Sequence, residues 1–251
     1  MKYWHGGEGS MLNATQTIYS RALSASLVSC YLGFLSPLAA FAELPDGVVP
    51  ITSEPEHKIR FDNDRVRMIE VVLPKGKASL FHEHLHDAFF VFFRTAEITS
   101  EPFRAKPVAT TTLAGAVHFT STAGGPYSHR VIATGKETVH VIATELKTPA
   151  AGSANATDTR FPPFEVALEN SRGRIYRLKL NPGESAEAFT RPGGTAIFAA
   201  TSGRISEKAG SKPTRLWDFE PGNFRWTEVS EELTLKNESP VPIELVEIEI
   251  F

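Results

Sequence analysis

After residue 42 the chain is written in short apolar–polar alternations. "RMIEVVL" (67–73), "DAFFVFF" (87–93), "HRVIAT" (129–134) and "TVHVIATEL" (138–146) are rich in β-branched and aromatic residues at the period-two spacing of strands. "IYRLKL" (175–180), "TAIFAA" (195–200), "ELTLKN" (232–237) and "IELVEIEI" (243–250) follow the same rule in the second half. No stretch here keeps the 3.6-residue period of an amphipathic helix. The 18 Gly and 17 Pro read as turn formers between the runs. The pattern predicts an all-β protein. One interruption, "TPAAGSANATDTRFPP" (148–163), has linker composition, and its centre is the stretch expected to be cut first by a protease.

The two halves read as copies. "VRMIEVVLPKGKASLFHEH" (66–84) aligns with "GRIYRLKLNPGESAEAFTR" (173–191), so that Gly76 matches Gly183 and Gly115 matches Gly222, both 107 residues on. "HRVIATGKETVHVIATEL" (129–146) aligns with "LTLKNESPVPIELVEIEI" (233–250) at 104, so the second copy lacks three residues in between. Two shared glycines at one offset and a matching closing hairpin point to a duplicated domain. The expected organisation is a leader over 1–42, a first unit over 43–147, a linker over 148–165 and a second unit over 166–251.

The leader changes the picture of where the protein works. Arg21 precedes an apolar run that ends in Ala40-Phe41-Ala42, the n-region, h-region and small-x-small site of a cleavable signal peptide. The mature chain is then expected to begin at Glu43, in the periplasm or otherwise exported. Two rivals stay open at this point. "LVSC" reads as a lipoprotein signal that would anchor the chain through Cys30, and the apolar run is long enough to span a bilayer uncleaved. Translation starts at Met1 or at Met11. Cys30 is the single cysteine, so the processed chain has no disulfide or thiol chemistry. Net charge is −3, and losing Lys2, Arg21 and Glu8 leaves the chain mildly acidic, without the basic excess that nucleic acid requires. No transmembrane segment is expected after processing.

The chemistry concentrates in "FHEHLHDAFF" (81–90), where His82, His84 and His86 alternate. A strand sets i and i+2 on one face, so His82 and His84 can reach one ion together. The competing reading is a polar strand of packed, hydrogen-bonded histidines. Gly76 and the five residues "KASLF" lead to His82-Glu83-His84. Gly115 is followed fourteen residues later by His129, within "GGPYSHRV". This arrangement resembles the cupin family, specifically its two-domain bicupins, over nearly all of residues 56–251.

The resemblance implies two tandem jelly-roll barrels, with a metal inside the first held by His82 and His84 from one strand and His129 from another. Imidazole suits a divalent transition metal, with Fe, Mn or Zn expected at one per chain. Two departures stand out. The second motif is three residues longer than the family's, and the family's Glu should fall near Ala88 or Phe89. Asp87 is the nearest acid, as a displaced ligand or an outer partner to an imidazole N–H, and His86 is an alternative to His84. In the second copy His82, His84 and His129 become Phe189, Arg191 and Leu233, so that barrel should be metal-free, with Arg191 as a candidate anion binder. His118 and His140 read as ordinary structural residues. No catalytic residue can be named. Ligating histidines must be neutral, so metal binding should weaken as pH falls through about 6.5. The resemblance implies a metal-dependent dioxygenase or related oxidoreductase acting on a small anionic or chelating molecule. The alternative is a non-catalytic small-molecule binder or structural bicupin with a vestigial site. A homodimer through exposed sheets is a further expectation.

Overall fold

Alternation along "FHEH" is the local rule of the whole chain: Phe81 and Glu83 are half-buried while His82 and His84 are buried. The structure, a computed structural model, describes residues 44–149 and 160–251. The expected signal peptide and the centre of the linker lie outside the described residues. The first half contains β1 (Val48–Pro50), β2 (His57–Asp62), β3 (Val66–Leu73), β4 (Phe81–His84), β5 (Ala88–Phe92), β6 (Ala96–Pro102), β7 (Val108–Thr112), β8 (Val117–Thr120), β9 (Tyr127–Ala133) and β10 (Val139–Leu146). The second contains β11 (Phe164–Asn170), β12 (Gly173–Leu180), β13 (Ser185–Arg191), β14 (Thr195–Ala199), β15 (Gly203–Lys208), β16 (Arg215–Phe219), β17 (Phe224–Thr227), β18 (Glu231–Asn237) and β19 (Ile243–Ile250). A single 3-10 turn, Ile51–Ser53, is the helical element among the described residues.

Each half is a two-sheet jelly-roll barrel. In the first, the order β1-β4-β9-β6-β7 faces β2-β3-β10-β5-β8. In the second, β13-β18-β15-β16 faces β11-β12-β19-β14-β17, the same orders nine strands on. The added strand β1 runs parallel to β4 and covers its free edge, with Val49 opposite His82. The duplication holds at residue level. His82 pairs across the sheet with His129, and Phe189 pairs with Leu233.

The two barrels pack back to back. On β10, Val139, Val141 and Ala143 face the first barrel's interior, while Ile142 and Leu146 join a core shared with Ile175, Phe198, Val246 and Ile248 of the second barrel. β10 and β19 are buried on both faces, so the acids that interrupt their apolar positions, Glu145, Glu247 and Glu249, are buried with them. Each buried Phe, Ile or Leu in that core contributes about 1.5–3 kcal/mol. The contact is pseudo-symmetric. Arg65 donates to the Ile250 carbonyl at 3.4 Å and Arg172 to the Leu146 carbonyl at 3.4 Å. Gly222, at φ +91°, lies so close to His140 that a Cβ would stand 2.5 Å from the ring. Its counterpart Gly115, at φ +77°, lies against Glu244 and Arg177. The back sheets that a lone barrel would offer for dimerisation are therefore covered within the chain.

Candidate metal centre

The three histidines expected to converge do so inside the first barrel. Because β4 and β9 are antiparallel neighbours in register, His82 and His129 stand directly opposite, and His84 stands opposite Tyr127. Ring centroids lie 4.7 Å apart for His82 and His129, and 5.1 Å apart for each of the other two pairs. One nitrogen of each lies within 4.8 Å of the other two. The Nε2 atoms of His84 and His129 are 3.1 Å apart. That approaches the edge of about 3.3 Å that metal–nitrogen bonds of about 2.0–2.1 Å give a tetrahedral ion.

The surroundings orient the rings. The carbonyl of Leu80 accepts from His82 Nδ1 at 3.0 Å, which leaves the lone pair of Nε2 free, and that buried atom has no partner. Ser100 Oγ lies 3.1 Å from His129 Nδ1. Burial, the largest influence, and neighbouring histidines hold His82 down to about 4 and His129 down to about 3, and press His84 well below its usual range. All three are therefore neutral over a wide pH span, the state a metal requires. An unpartnered buried polar atom costs about 1–3 kcal/mol, and a bound cation would accept the lone pair of His82 Nε2. The donor set fits a divalent transition ion.

A buried acid that sequence reasoning overlooked completes the neighbourhood. Glu145 lies on β10 directly across from Ala88, the position where the resemblance places the family's Glu. Its side chain is fully buried, and Oε1 lies 3.8 Å from His84 Nδ1. Neither atom has a hydrogen-bond partner. Arg67 Nη1 donates to Oε2 at 3.2 Å. Burial raises the pKa of Glu145 and Arg67 opposes the rise. Strand parity was the available signal, since Glu145 shares the inward face of Val141 and Ala143. Glu54 and His57 were missed as well. The His57 ring lies 4.3 Å from that of His82, and its Nδ1 is hydrogen-bonded to Glu54. Burial opposes ionisation of Glu54, but hydrogen bonds from His57 and from the Leu80 and Glu56 N–H groups hold its carboxyl below the usual range.

Asp87 and His86 are not brought to the cluster. Asp87 Oδ1 accepts from the N–H of Thr122 at 2.7 Å, and Oδ2 pairs with Arg172 Nε at 2.8 Å, so it ties the first barrel to the second. The cause is the strand start: β5 begins at Ala88, leaving Asp87 in the connection before it. His86 occupies the same connection, half-buried, with burial and then the charges of Arg67 and Lys147 lowering its pKa. His140 Nε2 donates to Glu70 Oε1 at 3.0 Å, a structural contact. His118 is not core: Val117 and Phe119 pack on the inter-barrel core, and His118 lines the cavity above the histidines.

In the second barrel the equivalent place is filled by a buried ion network. Arg191 grips Glu247 through Nη2 at 2.5 Å and Nε at 3.1 Å, and reaches Glu207 at 3.4 Å. Arg160 donates to Glu247 at 2.7 Å and also pairs with Glu249. Arg191 is thus committed to internal carboxylates, which corrects its reading as an anion binder. Arg160, inside the expected linker, is a buried part of this barrel.

No protein-family model matches the chain, and no curated protein matches it in sequence. Solved structures do match. AerE from Microcystis aeruginosa superposes with a TM-score of 0.55 at 14% identity, over 79% of this chain and 98% of that one. A point mutant of oxalate decarboxylase from Bacillus subtilis gives a TM-score of 0.50 at 11% identity, over 74% of this chain and 69% of that one. A cupin 2 conserved barrel domain protein from Leptotrichia buccalis gives 0.46 at 9% identity, over 78% and 88%. The chain has the two-barrel cupin fold. At these identities the likeness concerns the fold and leaves the activity to the site itself.

Proposed function

We propose that this cupin-fold protein is an exported metal-dependent oxidoreductase of the dioxygenase type. It carries one divalent transition metal on His82, His84 and His129 and acts on a small chelating molecule. The observation that carries the reading is the convergence of three neutral imidazoles, buried His82 and His84 and half-buried His129, in the lining of a cavity of about 610 Å³. A metal bound there supplies Lewis-acid and one-electron chemistry. The chain's own residues do the rest. The Leu80 carbonyl and Ser100 set the ring orientations of His82 and His129, and Glu145 faces the outer nitrogen of His84. Partners to the outer imidazole nitrogens fix tautomer and orientation in metal sites generally.

The test is oxygen uptake by protein loaded with Fe2+, Mn2+ or Zn2+ across a panel of chelating molecules. Uptake that depends on a redox-active metal and disappears in His129→Ala supports the reading. Stoichiometric metal and ligand binding without turnover would replace it with the non-catalytic binder. Export rests on residues 1–42, and N-terminal mass analysis of secreted protein should find Glu43 first. A lipidated Cys30 would overturn cleavage at Ala42.

A further inference from the structure

The cavity above the histidines is a binding site with a legible chemical preference. It occupies about 610 Å³, within the range of small-molecule sites. Its wall is built from Phe90, Phe92, Val131 and Val141, and none of the residues that line it is Lys, Arg, Asp or Glu. Arg67, half-buried, donates to Glu145 and does not line the cavity. At the rim, Val108 and Leu113 are 59% and 61% exposed, although large apolar side chains favour burial. Beyond the three ligands, the polar groups along the wall are the imidazoles of His57 and His118, Tyr127 beside His84 and His129, Ser100, and threonines near the opening.

These features select against a dianion. A dicarboxylate too long to chelate with both ends would place its second charge in a mainly apolar space without Lys or Arg, and an unpaired buried charge is strongly unfavourable. We infer that the first barrel takes a mainly apolar, ring-sized molecule that meets the three-histidine centre through a single chelating end. This inference rests on the metal-centre reading above and names the substrate class for that same site. Oxalate, which would chelate with both carboxylates, has no apolar part for this wall to hold.

Three probes test it: 4-phenylcatechol, catechol and oxalate. Each is titrated against metal-free protein and against protein loaded with Zn2+, with the metal content of every sample measured. The loaded protein should bind 4-phenylcatechol at least tenfold more tightly than catechol, about 1.4 kcal/mol, and should bind oxalate more weakly than either. The metal-free protein should keep the preference for the phenyl group, because the wall supplies it. Leu113→Glu, at an exposed rim position, and Val131→Phe, which fills the cavity, should each weaken 4-phenylcatechol at least tenfold while metal content stays at the wild-type level. Oxalate binding as tight as 4-phenylcatechol, or no preference for the phenyl group in either form, would overturn the inference. Absence of metal from loaded wild type, with the phenyl preference intact, would instead sink the metal-centre reading and leave the apolar cavity standing.

Discussion

Burial of the three histidines makes a quantitative claim about acid. An ordinary histidine with a pKa near 6.5 is protonated about 10 to 1 at pH 5.5, so three such ligands would lose about a thousandfold in apparent metal affinity between pH 7.5 and 5.5. Here His82 titrates at about 4 and His129 at about 3, with His84 also well below its usual range. At pH 5.5 fewer than about one in twenty molecules would be protonated at His82, so affinity should change less than about twofold over the same interval. The steep loss belongs below about pH 4, not at the 6.5 expected from sequence alone. The assay is Zn2+ competition against a chelator whose own pH dependence is known, run from pH 7.5 to 3.5. The same shifts act on folding. In the unfolded chain these histidines take protons below about 6.5, and in the folded metal-free protein they do not until about 4 or lower. Stability should therefore fall as pH drops through that window, by about 1.4 kcal/mol per pH unit for each such histidine. A hundredfold loss of metal affinity between pH 7.5 and 5.5, with the fold intact, would refute the reasoning.

Glu145→Gln keeps the shape of the side chain but removes the charge facing His84, and should weaken metal binding about 10- to 100-fold, read by the same competition. Asp87→Asn should leave metal affinity unchanged, because Asp87 serves Thr122 and Arg172, and should lower the unfolding midpoint instead. Glu247→Ala should cost about 3–5 kcal/mol by chemical unfolding, since it removes the carboxylate shared by two buried guanidiniums and leaves Arg191 with Glu207 and Arg160 with Glu249, while metal content stays at the wild-type level.

Strand pattern carried most of the architecture. Period-two runs marked the strands, and the offsets of 107 and 104 residues placed Phe189 opposite Leu233 just as His82 lies opposite His129. The three-histidine cluster was legible because two ligands share one strand and the repeat alignment put the third across from them. The acid was not legible, because register between distant strands decides it. Glu145 is 57 residues from Ala88 in sequence yet its direct neighbour in the sheet. Asp87, adjacent in sequence to the expected position, faces another way because β5 begins one residue later. Arg191 misled for a related reason: its counter-ion Glu247 lies in a closing strand that read as core, and a lone buried guanidinium looks available until its partner is found. The pairing of the back sheets was hidden too, since an apolar run does not say which surface covers it.

Metal content after loading and gel filtration tests the central claim most directly. Wild type should retain one divalent ion per chain, and His82→Ala, His84→Ala and His129→Ala should each lose most of it, while His118→Ala and His140→Ala keep it. Wild type that emerges without metal, or a His129→Ala variant at full occupancy, would contradict the three-histidine centre and leave a packed, vestigial barrel in its place.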